Sequence, residues 1–257
     1  MPAYYSVMFE LKKSPTAIED YLDAFVRSGP VFKSGYGYES DSREDILKWN
    51  QNKLNEDFEL GYEEDCSHDY KQMLFDFSDF SHVRLFINNR QNEPTFYMYL
   101  LVPEDDLLEY VEKSKSNPIK PRQFKVDRIR YSAENDAFTE LRRQDRMDLL
   151  KQLAKNVWQN APVLAIQTGW EDHDEPVKYR DISAKCSPLT QPFSIVSNDK
   201  YHSEWDFKAY HIGRDGTFLE AGKWYDCAYE RLSFIYPVEQ SKQNLFSRII
   251  ARIWKRH

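Results

Sequence analysis

The order of apolar and polar positions predicts a strand followed by a helix at the start of this chain. Residues 4–11 read as a strand, and Ser14 followed by Pro15 supplies a helix N-cap and a first-turn proline. Ile18, Leu22, Phe25 and Val26 then recur at helical spacing towards Ser28, where Gly29 and Pro30 end the helix. Ser42, with Asp45 three residues on, approximates a capping arrangement for a second, looser stripe of Ile46, Leu47, Trp49, Leu54 and Phe58. Beyond an acidic loop at 63–69, three runs (73–77, 82–88 and 95–102) have strand character. In the middle run Val83, Leu85 and Ile87 alternate with His82, Arg84, Phe86 and Asn88, so one face belongs in the core. The loop 88–94 makes a hairpin of the last two runs.

Pro103 and the carboxylates Glu104, Asp105 and Asp106 open a predicted helix carrying Leu107, Leu108 and Val111, where the positive end of the helix dipole favours acids. A proline-bounded turn at 117–121 precedes a predicted strand at 124–131, and the charge-mixed stretch 132–145 reads as a seam between two halves. Met147, Leu150, Leu153, Ala154, Val157 and Trp158 form an amphipathic helix stopped by Pro162, with a strand at 163–168 behind it. Residues 171–192 read as a long loop containing three prolines. Strands recur at 193–197, 205–211, around Phe218 and at 227–236, with 213–216 as a hairpin turn, and the tail from Ser241 is helical. Consecutive strands put the chain in the α+β class: mainly antiparallel sheet with packed helices, a strand-helix opening and a C-terminal amphipathic helix. The length fits one large domain or two intimately packed halves, 1–135 and 136–257.

Composition adds that the chain should fold, since 41% of its residues are hydrophobic. Abundant Tyr and Trp suit half-buried binding surfaces. A net charge of −7 disfavours nucleic acid as a partner, because phosphate binding requires a basic face. Lys242, Arg248, Arg252, Lys255 and Arg256 nonetheless concentrate positive charge in the tail. Three scattered cysteines (Cys66, Cys186, Cys227) make no C-x-x-C pair or disulfide framework, and no run has the pattern of a signal peptide or the length of a membrane span. The expected location is therefore the reducing cytoplasm.

Candidate chemistry is sparse. The single G-x-G, Gly35-Tyr36-Gly37, lacks the glycines and basic element of a phosphate cradle and reads as a turn. His68 and His173 each sit in an acidic loop without a second histidine at helical spacing, so neither loop has the ligand set of a metal site. No nucleophile signature is present; Cys227 reads as a small buried hydrophobe, and His211, in phase with Trp205, Phe207 and Ala209, as a core histidine. No catalytic, cofactor or metal residue is assigned. In the tail, Leu245, Phe246, Ile249, Ile250, Ile253 and Trp254 share one helical face bordered by basic residues. That helix fits docking on the acidic body better than an anionic membrane.

Three blocks, GYGYESDSREDILKWN (35–50), the strand pair HVRLFINN with TFYMYLLVP, and NVWQNAPVLAIQTGW, resemble the immunity protein 52 family of bacterial polymorphic toxin systems. The resemblance implies an α+β cytoplasmic protein that binds and neutralises a cognate protein toxin. Many such toxins attack nucleic acid through basic clefts, which an acidic inhibitor would meet quickly. The expected partner-binding residues are those of two acidic loops beside aromatics: Tyr62, Glu63, Glu64, Asp65, Asp69 and Tyr70, and Trp170, Asp172 and Asp174. Trp170 reads equally well as a core residue closing a buried strand. Two other classes compete: an enzyme using His68 or His173 with adjacent carboxylates, and a peripheral membrane or scaffold protein using the C-terminal helix.

Overall fold

Nine strands hydrogen-bond into one antiparallel sheet whose middle is the chain's own N-terminal segment. The structure, a computed structural model, describes residues 4–37, 39–59, 68–112, 123–126, 129–132, 138–142, 144–170 and 175–221. In chain order the elements are β1 (Tyr4–Lys12), α1 (Ala17–Arg27), β2 (Val31–Gly35), α2 (Arg43–Asn55), β3 (Met73–Asp76), β4 (Val83–Asn89) and β5 (Thr95–Pro103). There follow α3 (Glu104–Leu107), β6 (Leu108–Glu112), β7 (Gln123–Val126), β8 (Ile129–Ser132), β9 (Phe138–Arg142) and α4 (Gln144–Asn160). The last strands are β10 (Val163–Trp170), β11 (Phe193–Ser197), β12 (Lys208–Ile212) and β13 (Gly216–Glu220).

The sheet order is β12-β13-β11-β10-β1-β5-β4-β3-β2. β1 therefore lies between a strand from each half of the chain, pairing with β5 on one side and β10 on the other. This accounts for its buried positions on both faces. The stretch 132–145 holds β9, which pairs back to β6, and the nine-stranded sheet draws strands from both halves of the chain.

One sheet face carries Tyr5, Val7, Phe9, Leu11, Leu85, Ile87, Met98 and Leu100 against the apolar sides of α1, α2 and α4. Burying each large side chain there stabilises the fold by about 1.5–3 kcal/mol. The opposite face, over β10, β11 and β13, buries Ala165, Val196 and Leu219 under Ile182 and Trp205 of the crossing segment 175–207.

Ser42 caps α2 as its spacing predicts, accepting from the Asp45 N–H at 3.1 Å and donating to the Asp45 carboxylate at 2.7 Å. Helix α1 departs from expectation. Its cap position is Thr16 rather than Ser14, and Thr16 makes no capping bond; the free Ile18 N–H is satisfied by Gln51 of α2 at 3.1 Å. Tertiary contact replaces the local cap.

Three other expectations are corrected. The helix predicted from Pro103 stops after one turn, because residues 108–112 pair with β9; a single turn has too few bonds to compete with a five-residue ladder. Asp106 accordingly ties elements together, accepting from the Ser81 N–H at 2.8 Å and from Arg146 at 3.0 Å. The strand predicted at 124–131 is a pair, β7 and β8. His211 is exposed on the edge strand β12, of which Ile212 packs against the core, while Trp205 is buried. The predicted strand 227–236, with Cys227, and the tail helix lie outside the described residues.

Candidate functional site

The end of the sheet where β1 passes into α1 also receives the end of α2 and the β4–β5 turn. Asn89, fully buried at the close of β4, donates to the Phe58 carbonyl at 2.7 Å, and the Tyr70 hydroxyl donates to the same oxygen at 2.8 Å. These bonds clasp both flanks of the first acidic loop to the turn. Helix α2 grips the returning chain: the Trp49 indole N–H donates to the Asp69 carbonyl at 2.9 Å, and the Asn50 amide exchanges two 2.8 Å bonds with the Lys71 backbone.

The second acidic loop leaves the sheet at Trp170, which pairs through its backbone with Tyr5. The chain returns at Glu175, whose carboxylate meets the Arg90 guanidinium at 3.4 Å. Asn89 and Arg90, neighbours in one turn, thus hold a flank of each loop.

Beside this turn opens a cleft of about 590 Å³ bordered by Lys13, Pro15, Asp57, Asn92 and Glu93. Asp57 is ion-paired with Lys13 and accepts from the Asn92 N–H at 2.7 Å. The Lys13 bond, then the Asn92 N–H, hold its carboxyl below the ordinary aspartate value. Glu93 meets Lys178 at 2.7 Å and Arg180 at 2.9 Å, and the Lys178 bond chiefly lowers its carboxyl as well. Each of these charges is paired with another at the cleft's border.

At the opposite end of the sheet, the Arg84 guanidinium lies 4.9 Å from the Tyr4 ring centroid and 5.1 Å from that of Tyr36, with His82 against both rings. Burial, then the positive charges of Arg84 and Lys33, push the His82 imidazole below its ordinary value.

Of the residues expected at the partner surface, Tyr62, Glu63, Glu64, Asp65, Asp172 and Asp174 lie outside the described residues, as does His173. Asp69 is half-buried through the Trp49 bond, and His68 is exposed. Tyr70 corrects the expectation of an exposed aromatic: it is 4% exposed, packs edge-on against Phe58 and forms part of the core. Trp170 is placed by its backbone as the last residue of β10.

Asp57, Asn89 and Glu93 were not legible as site residues, because chain turns bring them together from separate segments. Glu10 was also missed, although a carboxylate inside a strand-like apolar run is a signal in itself. Among the described residues no group of three His, Cys, Asp or Glu side chains could hold a metal, and no helix is long and apolar enough to cross a membrane. In comparison with known proteins, no family model, no curated protein and no solved structure matches this chain.

Proposed function

We propose that this chain is a non-catalytic cytoplasmic binding protein of the bacterial immunity type, which neutralises a cognate secreted toxin by covering a basic surface on it. The observation that supports this reading best is the meeting of the two acidic loops' flanks at Asn89 and Arg90. One flank of each loop, Phe58 and Glu175, thus contacts the same turn although the two lie far apart in sequence. The chain's net charge of −7 would speed encounter with a basic, nuclease-like toxin through long-range attraction.

Co-expression tests the proposal. The toxin domain encoded beside this gene should arrest growth when produced alone and be tolerated when the full chain is produced with it. The triple change Glu63→Gln, Glu64→Gln, Asp65→Asn should weaken that protection while leaving the protein folded. Arrest that persists with abundant, folded wild-type chain sinks the reading.

A further inference from the structure

A buried carboxylate beneath the segment 175–189 connects the position of that segment to proton binding. Glu10 lies on the sheet face opposite the helices and is 1% exposed. Three donors point at it: the Thr95 hydroxyl at 2.9 Å, the Tyr97 hydroxyl at 3.0 Å and the Tyr179 backbone N–H at 2.7 Å. Thr95 and Tyr97 belong to β5 and stay with the sheet, whereas Tyr179 belongs to the crossing segment. Besides the Tyr179 hydroxyl, which meets the Ser197 hydroxyl of β11 at 2.9 Å, the segment is anchored on the sheet by Gln167 of β10, whose amide donates to the Val177 carbonyl at 2.6 Å. It also accepts from the N–H groups of Val177 at 3.0 Å and Leu189 at 2.8 Å. The Gln167 amide is neutral at every pH, whereas the Glu10 carboxyl can titrate.

We propose that residues 175–189 form a proton-linked clasp that closes over Glu10 more tightly when this carboxyl is protonated and loosens when it ionises. The closed segment takes water from the carboxylate and returns one N–H bond, while lifting it would restore hydration. Desolvation of a charge costs more than one such bond returns. Both hydroxyls can rotate, so Thr95 can accept from a protonated Oε1 while Oε2 keeps the Tyr179 N–H; the closed geometry therefore accommodates the neutral acid.

The titratable and charged groups facing Glu10 are Tyr97 from β5 and Arg180 from the segment. Tyr97 is itself pushed up by burial and stays neutral, and Arg180 is paired with Glu93. Burial raises the Glu10 carboxyl against the opposing pull of its donors and of Arg180. The sign follows by linkage: the closed form holds the proton more tightly than the open form. Closure is therefore favoured below the ordinary glutamate value and weakens as pH rises from there through the raised value.

Hydrogen exchange of the full chain across pH 4.5–8, corrected for the intrinsic rate, reads this directly and needs no binding partner. Protection of the Tyr179 amide and its neighbours 178–182 should fall as pH rises, by up to about tenfold per pH unit while Glu10 titrates. In Glu10→Gln, protection should be flat with pH and at least as high as that of the wild type at pH 7. Tyr97→Phe, which removes one donor to the carboxylate and keeps the ring, should lose more protection at neutral pH than the wild type; it carries the test if Glu10→Gln does not fold. Protection independent of pH in the wild type, or a slope unchanged in Glu10→Gln, overturns the clasp.

Discussion

Replacing Gln167 with Leu isolates what holds the crossing segment to the sheet. Gln167 is 1% exposed, and its side chain satisfies three backbone groups, the Val177 N–H and carbonyl and the Leu189 N–H. Leu preserves most of the volume, so the cavity term is small and the lost hydrogen bonds dominate. Three bonds at about 0.5–1.5 kcal/mol each put the loss at roughly 1.5–4.5 kcal/mol. The upper end applies only if the segment stays in place with its groups unsatisfied. If it lifts and hydrates them, the loss is capped by the apolar contacts of Ile182 and Trp205 that are given up. Urea unfolding should show a lower midpoint, and exchange of the Val177 and Leu189 amides should accelerate before global unfolding. A loss under about 0.5 kcal/mol with both amides still protected would refute the anchoring role.

Gly216→Ala would place a Cβ 2.3 Å from the Trp158 indole nitrogen, so the buried ring must move; a loss of about 1–3 kcal/mol in chemical denaturation is expected, and an unchanged midpoint would contradict that close approach. Tyr21→Phe removes a buried hydroxyl that has no hydrogen-bond partner among the described residues, and thermal melting should show a stability unchanged or raised by about 1 kcal/mol rather than lowered. Asp57, held below its ordinary value chiefly by Lys13, contributes stability that is present above the unfolded aspartate value and lost as pH falls through the folded one. Asp57→Asn should therefore flatten the acid limb of a stability-against-pH curve, which an unaltered limb would exclude.

Local pattern was sufficient where neighbours in sequence decide the structure. The Ser42 cap, the alternation of β4 and the stripe of α4 were each readable from spacing alone, and the turn at 213–216 from its glycines. It failed where a distant segment decides. Residues 108–112 suit helix or strand by composition, and pairing with β9 settles the matter. Helix α1 takes its missing cap from Gln51, 33 residues away. His211 was assigned to the core by extending the phase of Trp205 and Phe207, but β12 begins only at Lys208, and this edge strand has an exposed face. The acidic loops were legible as composition. That one flank of each, Phe58 and Glu175, meets Asn89 and Arg90 was not, since it depends on separate segments being brought to the β4–β5 turn.

Association kinetics test most directly the proposed binding of a basic toxin through the two acidic loops. The purified full chain should bind the toxin domain encoded beside its gene, with an association rate that falls steeply between low and high salt. Converting Asp172 and Asp174 to Asn should slow association more than it speeds dissociation, as expected of charges at an interface rim. Absence of binding at low salt, or an association rate indifferent to both salt and these substitutions, would contradict the account.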